Sequence, residues 1–203
     1  MNKNLIFFLP VFKFGGAGNS IFRLCTKIDT LKNNIFIISI GKNDYRKKFL
    51  NLSNKIKLIE LNSGSTIGSF FKLRKIVRNI VKIKGYKTIF ISNQHYANVI
   101  SIFSLSFIKK IKLILVDRID ISELKKYYNF SSFIKNHLIY LLVKFFYRYA
   151  NAIISNSKSA KKDLENVTKS KVININPPSL VKLNKTKRRK NKRKKIIILT
   201  VGS

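Results

Sequence analysis

Seven short apolar runs recur along this 203-residue chain, and longer segments with helical periodicity separate most of them. The runs lie at 4–9, 35–40, 57–61, 88–92, 112–117, 151–156 and 171–175. They are apolar on both faces, which is typical of parallel strands that helices cover on either side. Periodicity predicts helices near 18–32, 66–84, 96–107, 132–149 and 157–166. Strands that alternate with helices predict an α/β fold with a Rossmann-like parallel sheet flanked by helices.

A glycine-rich segment, FGGAGNS, links the first apolar run to the first helical segment. Its small residues are Gly15, Gly16, Ala17 and Gly18. Free N–H groups at a helix N-terminus attract phosphate oxygens, and glycines let a ligand approach the backbone. The segment departs from the dinucleotide fingerprint, because Ile21 replaces its last glycine, and it lacks the Gly-Lys-Ser/Thr of the triphosphate-binding loop. The alternative is a flexible turn whose helix begins and is capped at Asn19 or Ser20.

Three of the eight acidic residues fall in the segment LVDRIDISE, at the end of the fifth apolar run. Ligands of open α/β sheets bind beyond the carboxyl ends of the strands. Asp117, Arg118 and Asp120 are therefore candidate catalytic residues. The carboxylates would orient sugar hydroxyls or stabilise a developing positive charge, and Arg118 would bind a phosphate. Alternatively, Asp120 or Ser122 caps the next helix.

Two further polar segments follow apolar runs. ISNQHYAN places Asn93, Gln94 and His95 after the fourth run, where hydrogen-bonding side chains would line a pocket. A helix cap and a surface histidine explain the same residues nearly as well. NAIISNSKS places Asn156 and Ser157 after the sixth run, with Ser157 as a candidate helix cap. Asn93, His95 and Ser157 complete the set of candidate ligand-binding residues.

Lys and Arg outnumber Asp and Glu by 42 to 8, which gives a formal net charge of +34. This charge favours anionic partners such as nucleic acids and anionic membranes. The excess Lys is, however, spread along the chain beside abundant Ile, Asn and Phe, and all four residues share A/T-rich codons. The one concentrated run, 185–195, contains no aromatic residue and no RNA-binding signature. A non-catalytic, basic nucleic-acid-binding α/β protein is the alternative function, although nucleic acid is not the expected partner.

Cysteine and histidine usage indicates neither disulfides nor metal sites. Cys25 is the single cysteine, and it falls on the apolar stripe of the first predicted helix, which favours a core position. Only two histidines are present, so a histidine-based metal site is not expected. No apolar stretch reaches the ~20 residues needed to span a bilayer. The chain is therefore predicted to be cytoplasmic. Segment 133–150 is apolar, aromatic and edged with Lys and Arg, and either lies in a membrane interface or packs against the sheet.

The sequence changes character after residue 180. Segment 181–195 is strongly basic and is predicted to be an extended linker. IIILTVGS, at 196–203, then has the pattern of another buried strand. Because one strand cannot form a domain, we interpret 1–180 as a Rossmann-like N-terminal domain and 196–203 as the first strand of a truncated C-terminal domain.

Four motifs in this order resemble the N-terminal half of family-4 glycosyltransferases of GT-B fold. FGGAGNSIFRLC is similar to the family's G-G-[AS]-[EG] loop and first helix, and ANAIISNSKSAKKDL is similar to its AD-x-I-I-x-x-S-x-x-x-x-x-x-L segment. KVININPP resembles the V-I-x-N-P that closes the first domain, and IIILTVGS resembles the I-L-x-V-G-R that opens the second. The resemblance covers essentially the whole chain.

The resemblance implies one half of a GT-B fold, a nucleotide-sugar donor, no metal or other cofactor, and hexosyl transfer with retention of configuration. It implies a glycan or lipid-linked acceptor in polysaccharide or lipopolysaccharide synthesis, and a location at the inner face of the membrane. Gly15 and Gly16 match the loop that reaches the donor phosphates, and Arg118 is the nearest match to a His or Arg that follows the fifth strand. Ser203 replaces the family's Arg, and the E-x7-E motif of the C-terminal domain has no counterpart. The chain is therefore expected to need a C-terminal-half polypeptide for activity.

Overall fold

The computed structural model describes residues 2–13, 15–65, 67–125 and 129–176, which form one sheet with helices on both faces. The strands are β1 (Lys3–Leu9), β2 (Asn33–Ser39), β3 (Ile56–Glu60), β4 (Lys87–Asn93), β5 (Ile111–Asp117), β6 (Ala152–Ser155) and β7 (Val172–Asn174). The helices are α1 (Gly16–Cys25), α2 (Arg46–Leu52), α3 (Phe70–Val81), α4 (His95–Leu105), α5 (Phe130–Phe146) and α6 (Lys158–Thr168). The predicted α/β class with a Rossmann-like parallel sheet is confirmed.

The strand order is β3-β2-β1-β4-β5-β6-β7, and every neighbouring pair is parallel. The chain order reverses at β1: β2 and β3 extend the sheet on one side, and β4 to β7 extend it on the other. Phe7 of β1 lies opposite Ile37 of β2 and Ile91 of β4. Loops that leave such a reversal point diverge and open a crevice beyond the carboxyl ends of the strands. The ends of β1 and β4 therefore border the crevice of this sheet.

Two hydrophobic cores cover the sheet, one on each face. Alternate residues of a strand point to opposite faces, so Phe7 and Leu9 of β1 belong to one core and Ile6 and Phe8 to the other. Helices α1 and α2 pack on the first face, where α1 contributes Cys25 to the core, as its periodicity predicted. Helices α3 to α6 pack on the second face.

Burial of the sheet on both faces was predicted for every strand, and this prediction is wrong for the β5–β7 side. Ile114 and Val116 of β5 are only half-buried on the face that α1 borders, and they line a cavity there. Ile173 and Ile175, in and after β7, are 46% and 55% exposed. These strands are continuous apolar runs, but no described helix covers this face of β5–β7. A continuous apolar run therefore did not guarantee cover on both faces.

Helix α2 was not predicted. Its seven residues, RKKFLNL, bury only Phe49, so the sequence shows no helical repeat that could be recognised. Helix α1 also differs from its prediction, since it ends at Cys25 rather than near residue 32.

The proposed domain boundary lies largely outside the described residues. Both the basic linker, 181–195, and the predicted strand at 196–203 fall there, so these assignments stay predictions. Within the described ranges, no helix has the length and apolar character that crossing a membrane requires.

Candidate functional site

The glycine segment forms the start of α1, immediately beyond β1. The helix begins at Gly16, with Gly15 as its N-cap in an extended conformation (φ 166°). No side chain caps this end within the described part of the chain, and its first turn contains no acidic residue. The prediction that Asn19 or Ser20 begins and caps the helix is therefore wrong. Both residues lie inside the helix, and Ser20 Oγ donates to the Gly16 carbonyl at 2.8 Å.

Two of the loop glycines face open space. A Cβ atom on Gly15 or Gly16 would have no described atom within 4 Å. Both residues line a cavity of about 420 Å³, together with residues of the β1–α1 loop and Gln94. Unpaired N–H groups at the start of a helix, next to an open cavity, form a site that favours anions.

The third glycine, Gly18, is tightly packed instead. A Cβ there would lie 2.7 Å from Cε2 of Tyr45 and 2.9 Å from the Lys13 carbonyl oxygen. Only glycine allows α1 to approach both groups so closely. Ala17 lies beside it and lines the same cavity.

Tyr45, at the start of α2, supports the glycine loop from below and was missed by the sequence reasoning. Its fully buried hydroxyl donates to Asn19 Oδ1 at 2.7 Å, and the Gly15 N–H donates to the Tyr45 hydroxyl oxygen at 3.5 Å. The Tyr45 N–H donates to Asn43 Oδ1 at 2.9 Å, which fixes the turn that carries the ring. No sequence pattern connects residue 45 to the glycines, since only the fold brings them together.

A buried polar cluster occupies the ends of β4 and β5, next to the glycine loop. Asp117, the last residue of β5, is fully buried, and its Oδ1 lies 2.9 Å from Nδ1 of His95. Asn98 Nδ2 donates to the same oxygen at 2.9 Å, and the Tyr147 hydroxyl donates to it at 3.3 Å. Asn98 shares a helix face with His95 at i+3 spacing, and Ser101 and Ser104 continue this polar stripe, so the repeat was a usable signal. Tyr147 lies in an apolar segment, and no sequence signal there indicated a contact with Asp117.

The surroundings of His95 in this cluster raise its pKa. Burial lowers the pKa of His95, but the charge of Asp117, its hydrogen bond and two nearby backbone carbonyls together outweigh burial, so the pKa is raised overall. The nearby carbonyls of Ile119 and Asp120 act in the same direction, although within the described residues Nε2 has no hydrogen-bond partner. Burial and the Asp117 charge raise the pKa of Tyr147 well above its ordinary value. Tyr147 thus stays a hydroxyl donor to the carboxylate.

Asp117 and His95 are both buried, and their roles in the candidate site stay predictions. Both side chains were expected to contact a ligand directly, yet they are at most 5% exposed and point at other protein groups. A carboxylate whose neighbours are His95, Asn98 and Tyr147 stabilises the end of β5 rather than facing the crevice. In this structure the Asp117 carboxylate contacts only buried protein side chains among the described residues.

Arg118, Asn93 and Asn156 lie on the opposite side of the same edge. They line a cavity of about 670 Å³ between α1 and the half-covered strands. Arg118 Nε donates to Asn93 Oδ1 at 3.2 Å, and Asn156 Nδ2 donates to the Arg118 carbonyl at 2.9 Å. Burial lowers the pKa of the Arg118 guanidinium. The cavity therefore presents a cation and two amides beside apolar walls.

The two remaining candidates, Ser157 and Asp120, line neither of these cavities. Ser157 is the N-cap of α6, as its position predicted, because its Oγ accepts from the Ala160 N–H at 3.0 Å. The Asp120 carbonyl accepts from the Glu123 N–H at 3.0 Å and opens a short 3-10 turn, and a side-chain cap by Asp120 or Ser122 stays a prediction. The candidate site thus consists of an uncapped helix end beside a cavity, a buried polar cluster, and a larger cavity where Arg118 and two amides lie beside apolar walls.

Comparisons with known proteins concern the fold. No protein-family model matches this sequence, and no curated protein matches it either. Among solved structures the chain is similar to HepE (Alr3699) of Anabaena, whose crystal structure is a complex with UDP and glucose. The TM-score is 0.61 at 12% sequence identity, and the match covers 87% of this chain and 44% of HepE. The chain therefore spans less than half the length of the protein that it resembles, and at this identity the similarity shows a shared fold.

Proposed function

We propose that this chain contributes the N-terminal, acceptor-side half of a glycosyltransferase of GT-B type, and that its glycine loop binds the phosphates of a nucleotide-sugar donor. The observation that carries the proposal is the uncapped start of α1, where Gly15 and Gly16 border an open cavity beside the reversal point of the sheet. The presence of UDP and glucose in the HepE crystal structure supports the same class of ligand.

The charge of the loop suits a diphosphate. Lys13 lines the cavity, and the first turn of α1 contains no acidic residue that would oppose an anion. The partial positive charge of the helix end adds to this field. When the bond between the sugar and the phosphate breaks, negative charge develops on the leaving diphosphate, and preorganised N–H groups stabilise it. We therefore propose that transfer proceeds without a metal ion.

The larger cavity suits the acceptor. Asn93 and Asn156 offer amide groups and Arg118 offers a cation, all beside the apolar side chains of the half-covered strands. Amide groups bind sugar hydroxyls, and apolar walls accommodate a sugar face or a lipid linker. A bond would form between the anomeric carbon of the hexose and the acceptor hydroxyl oxygen, with retention of the anomeric configuration. The bond from that carbon to the donor phosphate oxygen would break, and the hydroxyl proton would pass to the departing nucleoside diphosphate. Turnover is expected only when a C-terminal half is also present.

UDP binding to the purified chain tests the role of the loop. The Gly16→Asp variant places a carboxylate where the structure has open space. The carboxylate interacts favourably with the partial positive charge of the helix N-terminus, so α1 should stay folded, and it repels phosphate. Its affinity for UDP should fall roughly tenfold, measured by calorimetry at fixed salt. Gly64→Asp is the matched control, because a Cβ on Gly64 also meets no atom and Gly64 lines neither cavity.

Three outcomes would contradict the proposal. Equal UDP affinity of the two variants would exclude the glycine loop as the phosphate site. Pyrophosphate binding as tight as UDP binding would indicate a general response to the +34 charge. Single-stranded DNA binding that is tighter than UDP binding and unaffected by Gly16→Asp would favour the alternative of a basic nucleic-acid-binding protein.

A further inference from the structure

Most of the positive charge of this chain lies on side chains that are exposed to water. Among the described lysines and arginines, the four that are not exposed are Arg23, Arg74, Arg118 and Lys161. Two of them, Arg23 and Arg118, line the same cavity, the one of about 670 Å³ between α1 and the half-covered strands. The cations of this cavity therefore differ from the diffuse basic surface that the composition produces elsewhere.

The guanidinium group of Arg118 is held through one of its three nitrogens. Its Nε donates to Asn93 Oδ1 at 3.2 Å. Asn93 is 1% exposed, and its Nδ2 donates to the carbonyls of Phe8 and Ile91, so its oxygen is the atom left for the arginine. The two terminal nitrogens of Arg118 have no hydrogen-bond partner among the described residues. Their parallel N–H groups can bind two oxygens of one oxyanion.

No carboxylate of the described chain neutralises Arg118. None of the ion pairs there involves it, and no acidic residue lines the cavity. Asp117, its neighbour in the chain, is fully buried and directs Oδ1 to His95 in the polar cluster. A half-buried cation costs free energy unless an anion pairs with it. The cavity therefore favours a ligand that brings a negative charge.

The rest of the cavity suits a sugar. Asn156 Nδ2 donates to the Arg118 carbonyl at 2.9 Å, and its Oδ1 has no described partner, so it can accept from a hydroxyl. Ile114, Val116 and Ile154 form an apolar wall. A volume of about 670 Å³ is within the usual range of small-molecule sites, which combine apolar walls with a few polar groups.

We propose that the acceptor of this chain carries an oxyanion, either a carboxylate or a phosphate ester, and that the terminal nitrogens of Arg118 bind it. Calling this ligand the acceptor rests on the proposed function, whereas the anion site follows from the cavity itself. Asn93 lines this cavity and the next residue, Gln94, lines the glycine cavity, so the two ligands lie on either side of the end of β4. Arg118 thus selects an anionic sugar over its neutral counterpart.

Binding of glucuronic acid, glucose 6-phosphate and glucose to the purified chain tests the inference. At physiological ionic strength, at least one of the anionic sugars should bind roughly tenfold more tightly than glucose, because hydrogen bonds between charged groups are stronger than neutral ones. Tighter binding of glucuronic acid identifies a carboxylate, and tighter binding of glucose 6-phosphate identifies a phosphate. Anionic sugars that bind no more tightly than glucose would overturn the inference.

Charge-conserving substitution separates the fork of Arg118 from its charge. Arg118→Lys keeps the charge but has no pair of parallel N–H groups, so the affinity for the anionic sugar should fall roughly tenfold and that for glucose should stay the same. The control is Arg78→Gln, which removes a charge from the exposed surface of α3. A loss in Arg78→Gln as large as that in Arg118→Lys would mean that anions respond only to net charge, which overturns the inference.

A second pair of variants leaves Arg118 in place, so its result does not depend on how that substitution affects folding. Ile175→Asp puts a carboxylate at the wall of the cavity, and should weaken binding of the anionic sugar about fivefold. Ile173→Asp is the matched control, because Ile173 is similarly exposed, lies two residues away and does not line the cavity. Equal effects of the two variants would contradict an anion site in this cavity.

UDP binding by the same variants separates this inference from the proposed function. Arg118→Lys should bind UDP as tightly as the unmodified chain, because Arg118 does not line the glycine cavity. A loss of UDP affinity as large as that of Gly16→Asp would assign Arg118 to the donor and overturn the inference, with the glycine loop still the phosphate site. Anionic-sugar binding that depends on Arg118, in a chain that does not bind UDP, would instead contradict the proposed function alone.

Discussion

The glycine loop after β1 and the polar cluster after β4 and β5 lie at the same edge of the sheet, on neighbouring strands, and they are built in opposite ways. The loop leaves the N-terminus of α1 without a side-chain cap and exposes Gly15 and Gly16 to a cavity. The cluster buries His95 and Asp117 and gives Oδ1 of the carboxylate three partners, His95, Asn98 and Tyr147. Of these two regions, the one with titratable side chains, His95 and Asp117, is therefore the one that is buried.

At this edge of the sheet, side chains make the buried contacts of the cluster, whereas backbone N–H groups face the cavity at the glycine loop. A buried ionic cluster holds the ends of β4 and β5 in place, because a charge in the interior is stable only with its partners. An anion-binding helix end needs neighbours that do not fill it, and small residues leave that space. The rigid cluster supports the edge, and the glycine loop remains open to a ligand.

Removing the charge of Asp117 should give the largest effect. Asp117→Asn leaves His95 buried without its carboxylate partner, which is expected to lower the free energy of unfolding by about 3–5 kcal/mol. Urea unfolding followed by circular dichroism measures the change. Asp44→Asn, at an exposed position outside the cluster, should change it by no more than about 0.5 kcal/mol. Similar effects of both variants would mean that the cluster does not stabilise this edge.

Alanine substitutions at Gly16 and Gly18 should change the free energy of unfolding in opposite directions, because Gly16 faces open space and Gly18 is packed. Gly18→Ala forces Cβ against the Tyr45 ring and the Lys13 carbonyl, so it should destabilise the fold by about 1–3 kcal/mol. Gly16→Ala meets no atom and should stabilise it by about 0.4–1 kcal/mol, since the unfolded chain loses freedom. The same unfolding measurement compares the two, and effects of equal sign would contradict the division of the loop.

The pH dependence of stability tests the ionic state of the cluster and should give the smallest effect. The pKa of His95 is raised in the folded protein, so its contribution to stability is complete below its unfolded pKa of about 6.5. This contribution is lost as pH rises through the higher folded pKa.

Unfolding of the unmodified chain and of His95→Gln at a series of pH values measures this contribution. The stability difference between them should shrink as pH rises above about 6.5. His137→Gln, an exposed position on α5, is the matched control. A difference that stays constant, or that grows with pH, would mean that His95 is not held in its charged form.

Much of the fold could be predicted from local patterns. All seven apolar runs are strands, and five of the six described helices overlap predicted helical segments. The exception, α2, is a seven-residue helix with one buried side chain, which is too short to produce a periodic signal. The Ser157 cap was also predictable, since it depends on residues only three positions apart.

The candidate site was predicted only in part, because its contacts join distant positions. The glycine loop was recognised from its composition, whereas Tyr45, which supports it, lies 30 residues from Gly15. Asp117 and His95 were recognised as polar residues at strand ends, but their distance of 2.9 Å and their burial were not. Tyr147 reaches Asp117 from a segment whose composition resembles any core helix.

The sequence by itself determined which segments become strands and helices, because the periodicity of apolar residues and the geometry of helix ends are local properties. It also determined where small residues let a helix end stay open. The tertiary structure alone decided which polar groups face the interior and which face a cavity. That choice depends on strand order and on side chains that meet across dozens of residues, and the energy of a buried charge depends on those neighbours rather than on its own position in the chain.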